Sequence, residues 1–131
     1  MSVVVDSSVL VAALVDASPN GQWAERVIEE HPVFGPEILF AETTNILRRL
    51  ELADHISGFE AASAYQDSMQ LNLESYPFRP FAERIWELRS TLTGYDAWYV
   101  AVAEGLDLPL ATLDSRLARA PGTRCRFLLP E

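Results

Sequence analysis

Lysine is missing altogether: all ten basic side chains are arginine, set against 19 acidic ones for a formal charge of −9. Without lysine there is no phosphate loop of the Walker A type, no Schiff base and no Ser-x-x-Lys nucleophile pair. The shortage of positive charge also argues against long-range attraction to nucleic acid, so a polyanionic substrate would need local arginines, metal ions or a second subunit to hold it. Cysteine is nearly absent. Cys125 stands alone, which excludes an internal disulfide and a cysteine-rich zinc site and leaves it a packing role. No apolar run approaches the ~20 residues needed to cross a bilayer, and the apolar start from Met1 to Val15 has no basic n-region and is interrupted by Asp6. A cytoplasmic protein without membrane contact is expected. No Gly/Ser/Pro-rich stretch, internal repeat or low-complexity segment divides the chain, so residues 1–131, 49% hydrophobic, read as one domain with its own core.

What is present alternates strands with helices. Ser2 to Val5 predicts a short buried strand, and Asp6-Ser7-Ser8 a cap for a helix through Leu14. Asn20 is expected to cap an amphipathic helix that carries Trp23 to Glu30. A strand at Val33-Phe34 precedes Gly35-Pro36 and a long helix from about Glu37 to Leu52; Ser57 caps another to about Leu71. After a strand at Glu74 to Tyr76, the spacing of Phe81, Ile85, Leu88 and Leu92 predicts a helix, and Gly94 to Glu104 a buried one. Pro109 to Leu113 reads as a strand, Ser115 to Ala120 as a short helix and Arg126 to Leu129 as a last strand. The alternation predicts a three-layer α/β/α sandwich around a mainly parallel sheet.

Four acids stand where an α/β core would be built. Asp6 and Asp114 each follow an apolar strand directly, at the carboxyl ends where such sheets bind ligands. Asp96 opens a helix, and Glu42 lies in line with the apolar residues Ile38, Leu39 and Ile46 of another. Taken singly, Asp6 and Asp114 also read as helix caps and Asp96 as a helix-start charge. Together they weigh differently. Four carboxylates at roughly 5 Å would repel by about 3 kcal/mol per pair at an effective dielectric near 20, more than a cap returns. A divalent cation would answer that repulsion, and an all-oxygen donor set suits Mg²⁺ or Mn²⁺ better than zinc.

The residues around these acids resemble those of PIN-domain ribonucleases, and more narrowly VapC-type toxins of bacterial toxin–antitoxin pairs. Val3-Val4-Val5-Asp6-Ser7-Ser8-Val9-Leu10 is similar to the family's opening motif, and Ala41-Glu42-Thr43-Thr44-Asn45-Ile46-Leu47-Arg48-Arg49 to the second. Trp86-Glu87-Leu88-Arg89 with Tyr95-Asp96-Ala97-Trp98-Tyr99-Val100-Ala101 resembles the third, and Ala111-Thr112-Leu113-Asp114-Ser115-Arg116-Leu117-Ala118 the last. All four occur in order over most of the chain. The resemblance implies a PIN-like fold and a metal-dependent endoribonuclease, commonly homodimeric, that leaves 5′-phosphate and 3′-hydroxyl ends and is blocked by a cognate VapB-type antitoxin. It places the catalytic and metal-binding acids at Asp6, Glu42, Asp96 and Asp114. Ser7, Ser8 and Thr112 fall on supporting hydroxyls, and Asn45 and Arg89 on accessory positions.

Two further classes compete. A phosphoaspartate domain would also place an aspartate after a strand, but the missing lysine counts against it. A PIN-like binding module without catalysis is opposed by the four intact acids, and a free-standing RNA-processing nuclease would carry the same ones. His31 and His55 stand alone, and the tryptophans read as core or interface anchors. Arg48 with Arg49, and Arg116 with Arg119, are candidates for phosphate contact, against the plainer reading as solvated charges. An antitoxin tail is expected to cross the crevice near Glu42 and Asp96, with its apolar residues beside Trp98.

Overall fold

The computed structural model describes all 131 residues and contains a five-stranded sheet in the order β3-β2-β1-β4-β5, every pairing parallel. The strands are β1 (Val3–Val5), β2 (Val33–Pro36), β3 (Leu73–Tyr76), β4 (Leu110–Ala111) and β5 (Phe127–Leu128). The helices are α1 (Ser7–Val15), α2 (Pro19–Glu30), α3 (Ile38–Leu52), α4 (Gly58–Gln70), α5 (Ala82–Glu87), α6 (Gly94–Leu106) and α7 (Ser115–Ala118). Right-handed crossovers put α1 to α4 on one face of the sheet and α5 to α7 on the other. In accord with that, α1 packs on α2, α3 and α4, whereas α6 lies against β1, β2 and β4.

β1 is central because its three valines are fully buried and have helices above and below. Each contributes about 1.5–3 kcal/mol through removal from water. The register Val4↔Leu110 and Val5↔Ala111 brings the end of β4 beside the end of β1. The chain leaves β1 toward β2 on one side, while β4 lies on the other. The switch point of the topology therefore falls between Asp6 and Asp114.

Local chemistry explains most boundaries. Asp6 caps α1 by accepting from the Val9 N–H, and Ser57 with Glu60 forms a reciprocal capping box on α4. Between α1 and α2 the chain turns so tightly that a Cβ at Gly21 would collide with the Asp16 carbonyl, which requires glycine there. This packing overrides the expected cap: α2 begins at Pro19 after Ser18, and Asn20 lies inside its first turn. The periodic run from Phe81 to Leu92 is also broken. A 3₁₀ turn (Arg79–Phe81) leads into α5, which stops at Glu87, and Leu88 and Leu92 pack from the following turns. Ser90, Thr91 and Thr93 offer the backbone side-chain alternatives to helix; the Thr91 hydroxyl donates to the Pro121 carbonyl at 3.0 Å and ties this turn to the C-terminal segment.

α5 and α6 are clamped by an ion pair. Arg84 donates to both Glu104 oxygens at 2.7 and 3.2 Å and to the Gly122 carbonyl at 2.7 Å, while Glu104 also accepts from the Arg124 N–H. Cys125 is half-buried against the core, and burial together with the Glu104 charge pushes its thiol up to about 11. It stays protonated at neutral pH, in keeping with packing. No helix is long and apolar enough to cross a membrane.

Candidate functional site

Asp6 is the anchor of the site. It is buried at 6% exposure, and both carboxylate oxygens are occupied: Oδ1 accepts from the Ser8 hydroxyl and the Val9 N–H, and Oδ2 from the Thr112 hydroxyl. Burial raises its pKa above the usual carboxylate range, these hydrogen bonds oppose the rise, and the charge of Asp96 adds to it. Ser8 and Thr112 each do two things. The Ser8 oxygen accepts from the Leu113 N–H at 3.1 Å, and the Thr112 oxygen accepts from the Asp114 N–H at 2.9 Å. The two hydroxyls thus fasten the end of β1 to the segment that follows β4.

Asp114 caps α7 by accepting from the Arg116 and Leu117 N–H groups, with the Arg116 side chain 3.5 Å away. Burial works to raise its pKa, but Arg116 and the two backbone donors outweigh burial and hold it below the ordinary value. Asp96 sits in the first turn of α6, where its N–H donates to the capping Thr93 oxygen at 3.1 Å. Its pKa is raised, by burial first and then by the charge of Asp114, against relief from Arg116 and Thr93.

Glu42 enters from α3. The buried stripe of that helix is Leu39, Thr43 and Leu47, which leaves Glu42 half-buried on its flank. One oxygen accepts a 2.5 Å hydrogen bond from the Tyr99 hydroxyl. Tyr99, only 1% exposed, adjoins Ser7 and feels the charges of both Glu42 and Asp6, which together with burial raise its pKa far above the ordinary phenol. It therefore remains a donor. Sequence reasoning passed over Tyr99, and the only available signal was its position three residues after Asp96, on the same side of α6.

Asp6, Ser8, Thr112 and Asp114 are thus tied together where β1 and β4 end, Asp96 is near enough for charge to act between it and both Asp6 and Asp114, and Glu42 and Ser7 join the group through Tyr99. The accessory positions do not share their contacts. Asn45 is exposed on α3, and the Arg89 guanidinium lies 4.2 Å from the centre of the Trp86 ring and donates to the Trp86 carbonyl. No three His, Cys, Asp or Glu side chains form a ready-made metal cage. The donor chemistry nevertheless suits a hard divalent ion. The donors are all oxygens, and mutual charge helps to disfavour ionisation of Asp6 and Asp96, an effect that a neighbouring cation reverses.

One cleft borders two of the acids, and a second passes Ser8. The first, about 450 Å³, runs past Asp96 and Asp114 to Arg116 and Arg119. The other, about 520 Å³, is a mainly apolar groove with Ser8 and Leu113 beside Val11, Val15, Ile46 and Leu50, and with Asp16, Arg49 and His55 also on its walls. Trp98, by contrast, is covered by an edge-on contact with Phe78 at 5.2 Å and lines neither cleft.

Residues 3–122 match the PIN domain family. Ribonuclease VapC1 of Mycobacterium tuberculosis is 40% identical over 127 residues, which cover 96% of either chain. Among solved structures, VapC20 of the same organism, described as a Sarcin-Ricin loop cleaving toxin, superposes with a TM-score of 0.70 at 18% identity, covering 94% of this chain and 97% of its own. A toxin–antitoxin complex from Klebsiella pneumoniae gives 0.70 at 19% identity, over 99% and 98%.

Proposed function

Because the chain belongs to the PIN-domain family, in its VapC branch, we propose that it is an Mg²⁺- or Mn²⁺-dependent endoribonuclease toxin that works in the cytoplasm as a homodimer and is silenced by a VapB-type antitoxin. The observation that supports this reading is that the charges of Asp6 and Asp96, and of Asp96 and Asp114, act on one another at the switch point of the sheet, with Glu42 joined to this group through Tyr99. Asp6 and Asp96 are the favoured ion ligands, with Asp114 and Glu42 as further ligands or proton acceptors. A bound ion would supply a water of lowered pKa and offset charge on the phosphate oxygens.

The chain's own groups do the positioning. Ser8 and Thr112 fix both Asp6 oxygens, so this carboxylate cannot swing away when substrate enters. Tyr99 holds one Glu42 oxygen and leaves the other available to take up a proton. The apolar groove beside Ser8 supports the antitoxin reading better than the surface near Trp98 expected from sequence. Apolar residues of a bound tail would fill it, and the tail would pass Ser8, which is bonded to Asp6.

The test combines calorimetry with cleavage. Purified protein should bind Mn²⁺ and cut RNA, lose cleavage in chelator, and lose it again when co-expressed with the product of its neighbouring gene. Cleavage that persists in chelator would overturn the metal assignment. A neighbour that binds tightly without inhibiting would place the antitoxin elsewhere.

A further inference from the structure

We propose that the cleft beside Asp96 and Asp114 binds a backbone phosphate of the RNA strand next to the cleaved bond, with Arg119 as its main charged contact and Arg116 shared between that phosphate and Asp114. The proposal rests on the nuclease reading above and adds where the substrate is held. A chain with a formal charge of −9 and an acidic site cannot draw a polyanion by its overall field. Whatever grips the strand must be local.

Of the ten arginines, Arg116 and Arg119 are the two that line the cleft shared with Asp96 and Asp114. Three residues apart at the end of α7, they lie on one side of the chain. Their side chains are lightly committed. Arg116 is 86% exposed and reaches Asp114 only at 3.5 Å, and the Arg119 guanidinium has no ion pair or hydrogen bond in a protein with 19 acids. Arg84 shows the contrast, with its guanidinium closed on Glu104 and Gly122. Thr93, which also lines the cleft, is already committed to Asp96: its oxygen accepts from the Asp96 N–H and its hydroxyl relieves the carboxylate, so the arginines are left as the donors for a ligand. The cleft therefore holds two acids together with one weakly paired guanidinium, Arg116, and one unpaired one, Arg119. Such a set of donors suits a phosphodiester. It also gives Arg116 a role near the chemistry, since it offsets charge on both Asp96 and Asp114.

The test compares Arg119→Ala, Arg119→Lys and Arg26→Ala, all at exposed positions, the last outside this cleft. Binding of a short fluorescent single-stranded RNA is measured by anisotropy against salt in an Asp6→Asn background, and steady-state cleavage in the active one. Arg119→Ala should weaken binding roughly fivefold and lower the salt slope by about one, as expected for one lost phosphate contact. It should raise KM by a similar factor and leave kcat within about twofold. Arg119→Lys should recover most of the binding, because a point charge suffices for a phosphate. An active enzyme whose KM and salt slope are the same in Arg119→Ala and Arg26→Ala overturns the assignment of the cleft. A wild type that neither binds nor cuts RNA overturns the nuclease reading along with it.

Discussion

Replacing Thr112 by valine should separate the cost of orienting Asp6 from the cost of burying it. Thr112 is 0% exposed; its hydroxyl donates to Asp6 Oδ2 and accepts from the Asp114 N–H at 2.9 Å. Valine fills the same shape and removes both bonds. A hydrogen bond to a charged group contributes about 1.5–3 kcal/mol and a neutral one about 0.5–1.5, so Thr112→Val should cost about 2–4 kcal/mol. Thr112→Ser keeps the oxygen and loses one methyl group, which costs roughly 1 kcal/mol. Urea unfolding followed by tryptophan fluorescence gives both values, provided the slope stays constant. In an Asp6→Asn background the charge-assisted part is gone, and the cost of Thr112→Val should shrink by about 1 kcal/mol or more. RNA cleavage should follow the same order, with serine retaining most activity and valine little. A valine variant as stable as the serine variant, or as active, would show that Ser8 and Val9 alone hold Asp6 and would refute the reasoning.

Asp96→Asn should lower cleavage at least ~100-fold while making the fold more stable at neutral pH. Burial, then the Asp114 charge, raises the folded pKa of Asp96 above 3.8, so its cost is absent at acid pH, where both states are protonated, and appears as pH rises through the folded value. The stability gap should therefore close on acidification, and a gap that widens would contradict the assignment. Arg84→Met leaves Glu104, whose side chain is 12% exposed, without its cation and should cost about 3 kcal/mol, with Arg84→Met/Glu104→Met at least as stable as the single variant by the same denaturation assay. Glu104 titrates in the opposite sense to Asp96. Although burial tends to raise its pKa, Arg84 and the Arg124 N–H bring it below 4.5, so wild-type stability should fall as pH drops through that lowered value. Tyr99→Phe keeps the buried ring, should cost about 1–2 kcal/mol for the bond to Glu42, and should lower kcat with KM unchanged; a rise in KM alone would argue against a positioning role.

The parts legible in the sequence were those set by neighbours along the chain. Asp6 and Asp114 stand out because each follows an apolar strand and begins a helix, and Asp96 because it lies one turn inside a capped start. Tyr99 was hidden for the opposite reason. In a helix apolar nearly all round, one phenol reads as core, and only the approach of α3 from a distant part of the chain gives its hydroxyl a partner. The same holds for Ser18, where the close approach of Gly21 to Asp16 settles the helix start, and for the groove beside Ser8, made by α1 packing against α3. The helix predicted through Leu92 failed because apolar spacing carries no record of the Thr91 hydroxyl's bond to Pro121.

The bond from Thr112 to Asp6 spans 106 positions of sequence, and it has a bearing on when the protein becomes dangerous to its maker. A polypeptide still being synthesised can hold Asp6, Glu42 and Asp96 and yet lack β4, the strand that pairs with β1 and brings Thr112 and Asp114 to the site. Parallel pairing over such a span is among the slower events of folding. On the proposed chemistry, every growing chain that stops short of β4 is harmless to the message that encodes it and to the ribosome that carries it. Toxicity begins only after synthesis has passed residue 114, which leaves an interval in which an inhibitor already present can capture the chain as it folds.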